Sequence, residues 1–125
     1  MTPPRVLHVQ PVAERGGSDL LLLGMVRQLA ADGWECHVAF PSPSPLASEF
    51  REAGAHLHVV PMRRITTSGT WRWWVAYALE WPLAVARLAA LGRRAGVDVV
   101  HSNSLHSWYG WAAALLLRRP HVWHA

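Results

Sequence analysis

Short apolar segments alternate with longer segments of mixed polarity along the whole chain. The short segments are rich in valine and bounded by glycine or proline, a pattern that is typical of buried strands. They cover residues 5–10, 35–40, 56–60, 97–101 and 121–125. The pattern therefore predicts five strands.

The segments between the first strands predict helices with recognisable ends. Residues 18–32 place apolar side chains on one helical face, with Ser18 as the predicted N-cap and Gly33 after the last turn. Residues 46–53 follow a predicted Ser44 cap, with a proline in the first turn. Both segments are predicted helices.

Two more helices are predicted in the second half of the chain. Residues 71–95 form the longer one, and Pro82 is a point where it could kink or divide. Residues 105–117 form the other, with Asn103 or Ser104 as its predicted N-cap. Strands and helices therefore alternate throughout.

Strict alternation predicts a parallel sheet with right-handed crossovers and helices on both faces. The simplest strand order is 3-2-1-4-5, so the expected fold is α/β, a Rossmann-like, doubly wound sheet of about five strands. Because the chain stops on its fifth strand, with no helix after it, we interpret the domain as incomplete at its C-terminus.

Composition limits the chemistry of this chain. Its 125 residues suit one domain. All twelve basic residues are arginine, which excludes a Schiff-base lysine and a lysine-dependent phosphate loop. The net charge of +4 suits an anionic partner. No nucleic-acid-binding motif accompanies that charge, so no nucleic acid is expected.

The compartment is inferred from cysteine content and from the first residues. Cys36 is the only cysteine, so no disulfide framework is expected, which fits a reducing compartment. The apolar run after the N-terminus is too short for a signal peptide. We therefore expect a cytoplasmic protein.

A pair of glycines separates the first strand from the first helix. Gly16 and Gly17 would lie at the crevice beyond the strand ends, where free backbone N–H groups favour an anion. They could equally make a tight turn, and both interpretations stay open. The GxGxxG motif is absent, which disfavours NAD or FAD.

Polar residues follow the fourth and fifth strands at the same edge. His101, Ser102 and Asn103 would face the glycine pair, and His124 would lie near the end of the fifth strand. Helix capping is the alternative for Asn103, and a structural role is the alternative for His124.

The other histidines do not form a recognisable metal motif. His56 and His58 share one strand face, and His121 and His124 are three residues apart. Neither pair comes with evident further ligands. No metal site is expected.

Several motifs occur together in a familiar order. They are Gly16-Gly17-Ser18, LAADGWE at 29–35, SPL at 44–46, REAG at 51–54 and DVVHSN at 98–103. In this combination the chain resembles the N-terminal domain of family 4 glycosyltransferases, which have the two-domain GT-B architecture. Asp19 and Trp34 depart from the family, which usually has glutamate and histidine there.

The resemblance implies a retaining transfer from a nucleotide-diphosphate sugar to a glycan, lipid-linked or small-molecule acceptor, without a metal or other cofactor. Residues 1–125 would be the acceptor-side domain. The C-terminal donor-binding domain would be absent, so this chain alone would be inactive. The roles that it implies are contact with the donor diphosphate for Gly16, Gly17 and Ser18, the acceptor cleft for His101, Ser102 and Asn103, and the active-site histidine for His124.

Two alternatives accompany this interpretation. The chain could be a stand-alone module that binds a sugar phosphate or nucleotide without catalysis. The segment from Trp71 to Arg94 combines tryptophan with arginine and could contact the inner membrane face peripherally. Packing inside the protein is preferred for these tryptophans. Glu80, Pro82 and Arg87 make the segment a poor candidate for spanning a membrane.

Overall fold

Five parallel strands form one sheet. The computed structural model describes residues 3–10, 17–62, 70–103 and 108–123. The strands are β1 (Arg5–Val9), β2 (Glu35–Phe40), β3 (His56–Val59), β4 (Val99–Ser102) and β5 (His121–Trp123). Their order is β3-β2-β1-β4-β5 with every pairing parallel. This confirms the predicted α/β class and strand order.

Four helices connect the strands in the described residues. They are α1 (Gly17–Ala31), α2 (Ala47–Glu52), α3 (Trp71–Ala95) and α4 (Tyr109–Leu117). Helix α3 continues through Pro82 as one element. It begins after Thr70, whose hydroxyl accepts a hydrogen bond from Trp73 N at 3.4 Å, and it ends at Gly96 in the left-handed region.

The core lies in two layers, one on each face of the sheet. Alternation along β1 sends Val6 to one face and Leu7 to the other. The first layer joins the sheet to α1 and α2 and includes Val6, Leu22, Val26, Phe40 and Phe50. The second joins the sheet to α3 and α4 and includes Leu7, Leu88, Val100, Tyr109 and Ala113. The prediction of helices on both faces is confirmed.

The predicted limits of β2 are confirmed, and those of β1, β3 and β4 differ from the observed ones by one or two residues, with β4 running from Val99 to Ser102. The last two residues predicted for β5 lie outside the described residues. The predicted N-cap of α1 was wrong. Ser18 is the second residue of the helix, and its hydroxyl accepts from the amides of Gln10 and Asn103. Long-range amide partners have replaced the local capping bond here.

The other predicted caps also need correction. Leu46 is the N-cap of α2, although Ser44 Oγ accepts from Leu46 N at 3.1 Å just before it. Trp108 is the N-cap of α4. Asn103 lies well before that helix, and the predicted cap Ser104 falls outside the described residues.

Candidate functional site: the crevice at the start of helix α1

The two central strands define a crevice. Neighbours β1 and β4 are the point at which strand order reverses, and ligands bind at such points in open α/β sheets. Helix α1 begins at Gly17, beyond the carboxyl end of β1. Asn103 follows β4, and its backbone N–H donates to Val9 O at 3.3 Å. The start of α1 meets the residue after β4, because Asn103 Nδ2 donates to Ser18 O.

Buried polar side chains fasten this meeting point. Gln10 Nε2 donates to Ser18 Oγ at 3.0 Å and to Asp19 Oδ1 at 2.5 Å. Asn103 Nδ2 donates to Gln10 Oε1 at 2.9 Å and lies 3.1 Å from Ser18 O. Gln10 and Asp19 are fully buried. This polar network fixes the first turn of α1 against both strands.

Sequence reasoning missed two members of the polar network. The apolar pattern places Gln10 only as the last residue of a strand, and Asp19 stands out only as a departure from the family. A signal existed, because a glutamine directly after the apolar run of β1 is placed at the ligand edge of the sheet.

Gly17 leaves open space at the start of α1. A Cβ atom added to Gly17 would meet no described atom within 4 Å, and its φ is outside the positive range. The described packing therefore does not require glycine here. A helix N-terminus is suited to an anion, and no described atom occupies the space beside Gly17. Gly16 lies outside the described residues.

Ser102 faces away from the crevice. It is buried on the α4 side of the sheet, and its hydroxyl lies 2.7 Å from His121 Nε2. Burial lowers the pKa of His121 and keeps its ring neutral. A Cβ on Gly110 of α4 would clash with Ser102 Oγ. The geometry places Ser102 in packing rather than in a cleft.

His101 is also buried, on the face towards α1. Its Nδ1 lies 3.0 Å from Nδ1 of His8, and the two rings meet edge to face. Burial, followed by the neighbouring His101, lowers the pKa of His8 to about 3. His101 also lines an apolar cavity of about 280 Å³ together with Val6, Leu29 and Trp34. The second nitrogen of His8 is buried without a described partner.

Of the six predicted crevice residues that precede His124, the structure brings Ser18 and Asn103 into contact. Gly17 starts the same helix turn. His101 and Ser102 lie on opposite faces of the sheet, His101 towards α1 and Ser102 towards α4. His124 lies outside the described residues, and its role stays a prediction.

A model of one protein family matches the chain over residues 16–125, and its description is Glycosyl transferase 4-like domain. That match covers most of the chain. The chain belongs to the glycosyl transferase 4-like domain family. No curated protein sequence matches it significantly.

Solved glycosyltransferases share the fold of this glycosyl transferase 4-like domain. MurG of Acinetobacter baumannii is 18% identical, with a TM-score of 0.73 over 98% of this chain and 35% of that one. HepE of Anabaena, in complex with UDP and glucose, is 17% identical, with a TM-score of 0.69 over 97% of this chain and 29% of that one. The calicheamicin glycosyltransferase CalG4 is 19% identical, with a TM-score of 0.63 over 98% of this chain and 32% of that one. The present domain thus spans about a third of the length of these GT-B chains.

A second group of ionisable side chains lies at the opposite edge of the sheet, near the amino ends of β2 and β3. Glu35 and His37 of β2 come beside His56 of β3, and one potential ligand atom from each lies within 4.8 Å of the others. The prediction that His56 and His58 have no further ligand groups nearby was therefore wrong. The register between β2 and β3 brings these groups together, because His37 lies directly opposite His56.

Helix α3 is more apolar than expected from the prediction that this segment is a poor candidate for spanning a membrane. By length and composition it could cross a membrane. Only 33% of its most apolar 18-residue stretch is buried within the domain. Its second half packs into the core through Val85 and Leu88. Its first half exposes Trp71 at 70% and Leu79 at 73%.

Proposed function

We propose that this domain is the acceptor-side half of a retaining glycosyltransferase that uses a nucleotide-diphosphate sugar. The polar network that holds the first turn of α1 at the switch point is the observation that carries the proposal. Membership of the glycosyl transferase 4-like domain family supports it. So do the solved GT-B structures, of which HepE contains UDP and glucose.

The donor diphosphate would rest at the start of α1. In this proposal the backbone N–H groups of Gly16 and Gly17 and the hydroxyl of Ser18 face the phosphate oxygens. The helix dipole and these donors would stabilise the negative charge that grows on the leaving diphosphate. Positioned donors could supply this stabilisation without a metal ion, so none is proposed for the transfer.

Asp19 shapes the specificity of this anion site. Its carboxylate lies in the first turn of α1 but accepts from Gln10 Nε2. A free carboxylate would repel a phosphate, whereas one that is buried and hydrogen-bonded has part of its charge compensated. We propose that Gln10 positions Asp19 away from the incoming diphosphate.

The remaining roles fall to residues at the ends of β4 and β5. We propose that His124 hydrogen-bonds the donor sugar in the transition state and that Asn103 lies at the boundary between donor and acceptor. His101 and Ser102 would support the cleft from within the sheet, because both are buried. The donor sugar and nucleotide base would be held mainly by a second domain outside this chain.

The test of the reaction class uses the protein encoded by the complete natural reading frame. We expect it to release nucleoside diphosphate from one member of a panel of nucleotide sugars when an acceptor extract is present. We expect residues 1–125 alone to release none. Saturable, tight nucleotide binding by residues 1–125, with no turnover by the complete protein, would instead establish a stand-alone binding module.

The active-site role of His124 is tested in the same assay. We expect His124→Ala to lower kcat by about 100-fold or more while the affinity for the nucleotide sugar changes little, because a hydrogen bond in the transition state is removed. Unchanged kcat would overturn this role.

We further propose a cytoplasmic enzyme that touches the inner membrane face peripherally. The supporting observation is the exposed apolar surface of Trp71, Trp74, Leu79 and Leu83, with the Arg72 guanidinium carbon 5.5 Å from the Trp71 ring centroid. Tryptophan and arginine are suited to an anionic interface.

Vesicle flotation tests this contact. Wild-type protein should float with vesicles that contain anionic lipid, and Trp71→Gln combined with Leu79→Gln should abolish flotation. Leu21→Gln is the matched control, because Leu21 is 52% exposed on a different helix. Flotation that survives the double substitution would contradict the proposal.

A further inference from the structure

Four ionisable side chains share one corner of the sheet, far from the crevice. Glu35 and His37 lie at the amino end of β2, and His56 and His58 lie on β3. Alternation of side chains sends all four to the sheet face that packs against α3. This edge is opposite the carboxyl ends of the strands, so any site here is separate from the proposed transfer site.

The atoms in this corner are close enough to share an ion. His37 Nε2 lies 3.0 Å from Glu35 Oε2. One atom each from Glu35, His37 and His56 falls within 4.8 Å of the other two. Ligands about 2.1 Å from a tetrahedral zinc ion lie about 3.4 Å apart. The widest of these separations would have to shorten by about 1.4 Å, which is within reach of side-chain rotation at exposed His56.

We propose that Glu35, His37 and His56 bind a Zn²⁺ ion, with His58 as a positioning residue. Two imidazole nitrogens and one carboxylate oxygen form a ligand set that suits zinc, and water or another ligand would complete the tetrahedron. Mg²⁺ and Ca²⁺ prefer all-oxygen sets, so they should bind poorly.

His58 holds the ring of His37 in the required orientation. His58 Nε2 lies 3.1 Å from His37 Nδ1, while the Nε2 of His37 points to Glu35. If His37 binds the ion through Nε2, its Nδ1–H donates to His58. Metal-binding histidines commonly donate their second N–H to such a partner.

Arg5 fixes the carboxylate and also limits the affinity. Its Nε lies 2.9 Å from Glu35 Oε2, and its Nη1 donates to Ala95 O at 3.2 Å. Glu35 is therefore anchored through Oε2. The guanidinium charge repels a cation, so the imidazole nitrogens must supply most of the binding.

The ion can reach this site from solvent and would stabilise the fold. His56 is exposed and the Glu35 side chain is 29% exposed, whereas His37 is 8% exposed. An ion held there would tie β2 to edge strand β3. Zinc binding to the folded state alone would raise Tm.

Calorimetric titration of the protein with ZnCl₂ tests the proposal. We expect one ion per chain, and Glu35→Gln and His56→Asn should each weaken binding by more than about 100-fold, since each removes a ligand. His58→Asn should weaken it by about 10-fold or more, as expected for a positioning partner. Glu52→Gln, at an exposed carboxylate on α2, is the matched control and should bind like wild type.

Two further readouts separate metal binding from loss of structure. Circular dichroism without zinc should show each variant folded, and zinc should raise Tm of the wild type but not of His56→Asn. In wild-type NMR spectra the imidazole signals of His37 and His56 should shift together at one equivalent of zinc. Equal zinc affinity in wild type, Glu35→Gln and His56→Asn, or unshifted imidazole signals, would overturn the proposal.

Discussion

Gly110 of α4 packs directly against Ser102 of β4. A Cβ at this position would clash with Ser102 Oγ and would lie 3.3 Å from Ser102 Cβ. We expect Gly110→Ala to lower the free energy of unfolding by about 1 to 3 kcal/mol, because a packed interface must open. Urea unfolding measures this loss.

A double-mutant cycle identifies the clash. Ser102→Ala alone should cost about 1 kcal/mol, because the hydroxyl at 2.7 Å from His121 Nε2 is lost. In the double variant the total cost should be smaller than the sum, since the closest clashing atom is gone. Additive costs would show that Gly110 is needed for another reason.

His8 makes stability depend on pH. Burial lowers its pKa from 6.5 in the unfolded chain to about 3 in the fold. Above pH 6.5 both states are neutral at His8. Below it only the unfolded state takes up the proton, so the contribution of His8 to stability falls by about 1.4 kcal/mol per pH unit until the folded pKa is reached.

Unfolding in urea at about pH 7.5 and about pH 5.5 measures this dependence. In His8→Leu the decrease in the free energy of unfolding from the higher to the lower pH should be smaller than in wild type by about 1 kcal/mol. In wild-type NMR spectra the ring of His8 should stay neutral at the lower pH. A protonated His8 in the folded state there would contradict the account.

The sequence predicted which residues lie at the ends of strands and helices. It did not predict which face of the sheet a side chain occupies or which side chains become its neighbours, because packing decides both. Ser18 and Asn103 are in contact, as expected for residues that lie at the start of a helix and directly after a strand, and their binding roles stay predictions. Ser102 and His101 alternate onto opposite faces, and only the register of β4 beside β1 and β5 reveals which faces are buried. The Glu35 and His37 neighbours of His56 were missed for the same reason.

At the scale of elements, α3 tolerates a residue that usually breaks helices. Pro82 is exposed in its interior and lacks the N–H that would donate to the carbonyl of Ala78. Pro82→Ala should raise the free energy of unfolding by about 1 to 3 kcal/mol. Ala86→Gly, at an exposed site of the same helix, is the calibrating control and should lower it by about 1 kcal/mol. A loss of stability in Pro82→Ala would show that the proline serves the packing of α3.

The helices and strands were predictable because each type has its own pattern of apolar residues. Valine-rich runs predicted β1 to β5 in order, and the apolar stripe of α1 was found with its terminal glycine. Element ends were less accurate. The α1 N-terminus depends on amides of Gln10 and Asn103, which come from other parts of the fold.

At the scale of the whole molecule, the domain corresponds to one part of a larger architecture. It overlays 97–98% of itself on MurG, HepE and CalG4 while spanning about a third of each. Its proposed donor site is open at Gly17, and its apolar surface lies on α3. Strand order and the position of the crevice followed from the sequence. Substrate choice could not, because it depends on loop shapes that no sequence pattern predicts.

We propose that the start of α1 receives the donor diphosphate. Calorimetric titration of the complete protein with its nucleotide sugar, in wild type, Gly17→Ala and Gly24→Ala, tests this proposal. Both glycines lie in α1, and a Cβ atom added at either position would meet no described atom within 4 Å. Both variants should therefore fold with unchanged or slightly higher stability. We expect Gly17→Ala to weaken binding by about 10-fold or more, equivalent to about 1.4 kcal/mol, while Gly24→Ala binds like wild type. Equal affinity in all three proteins would contradict it.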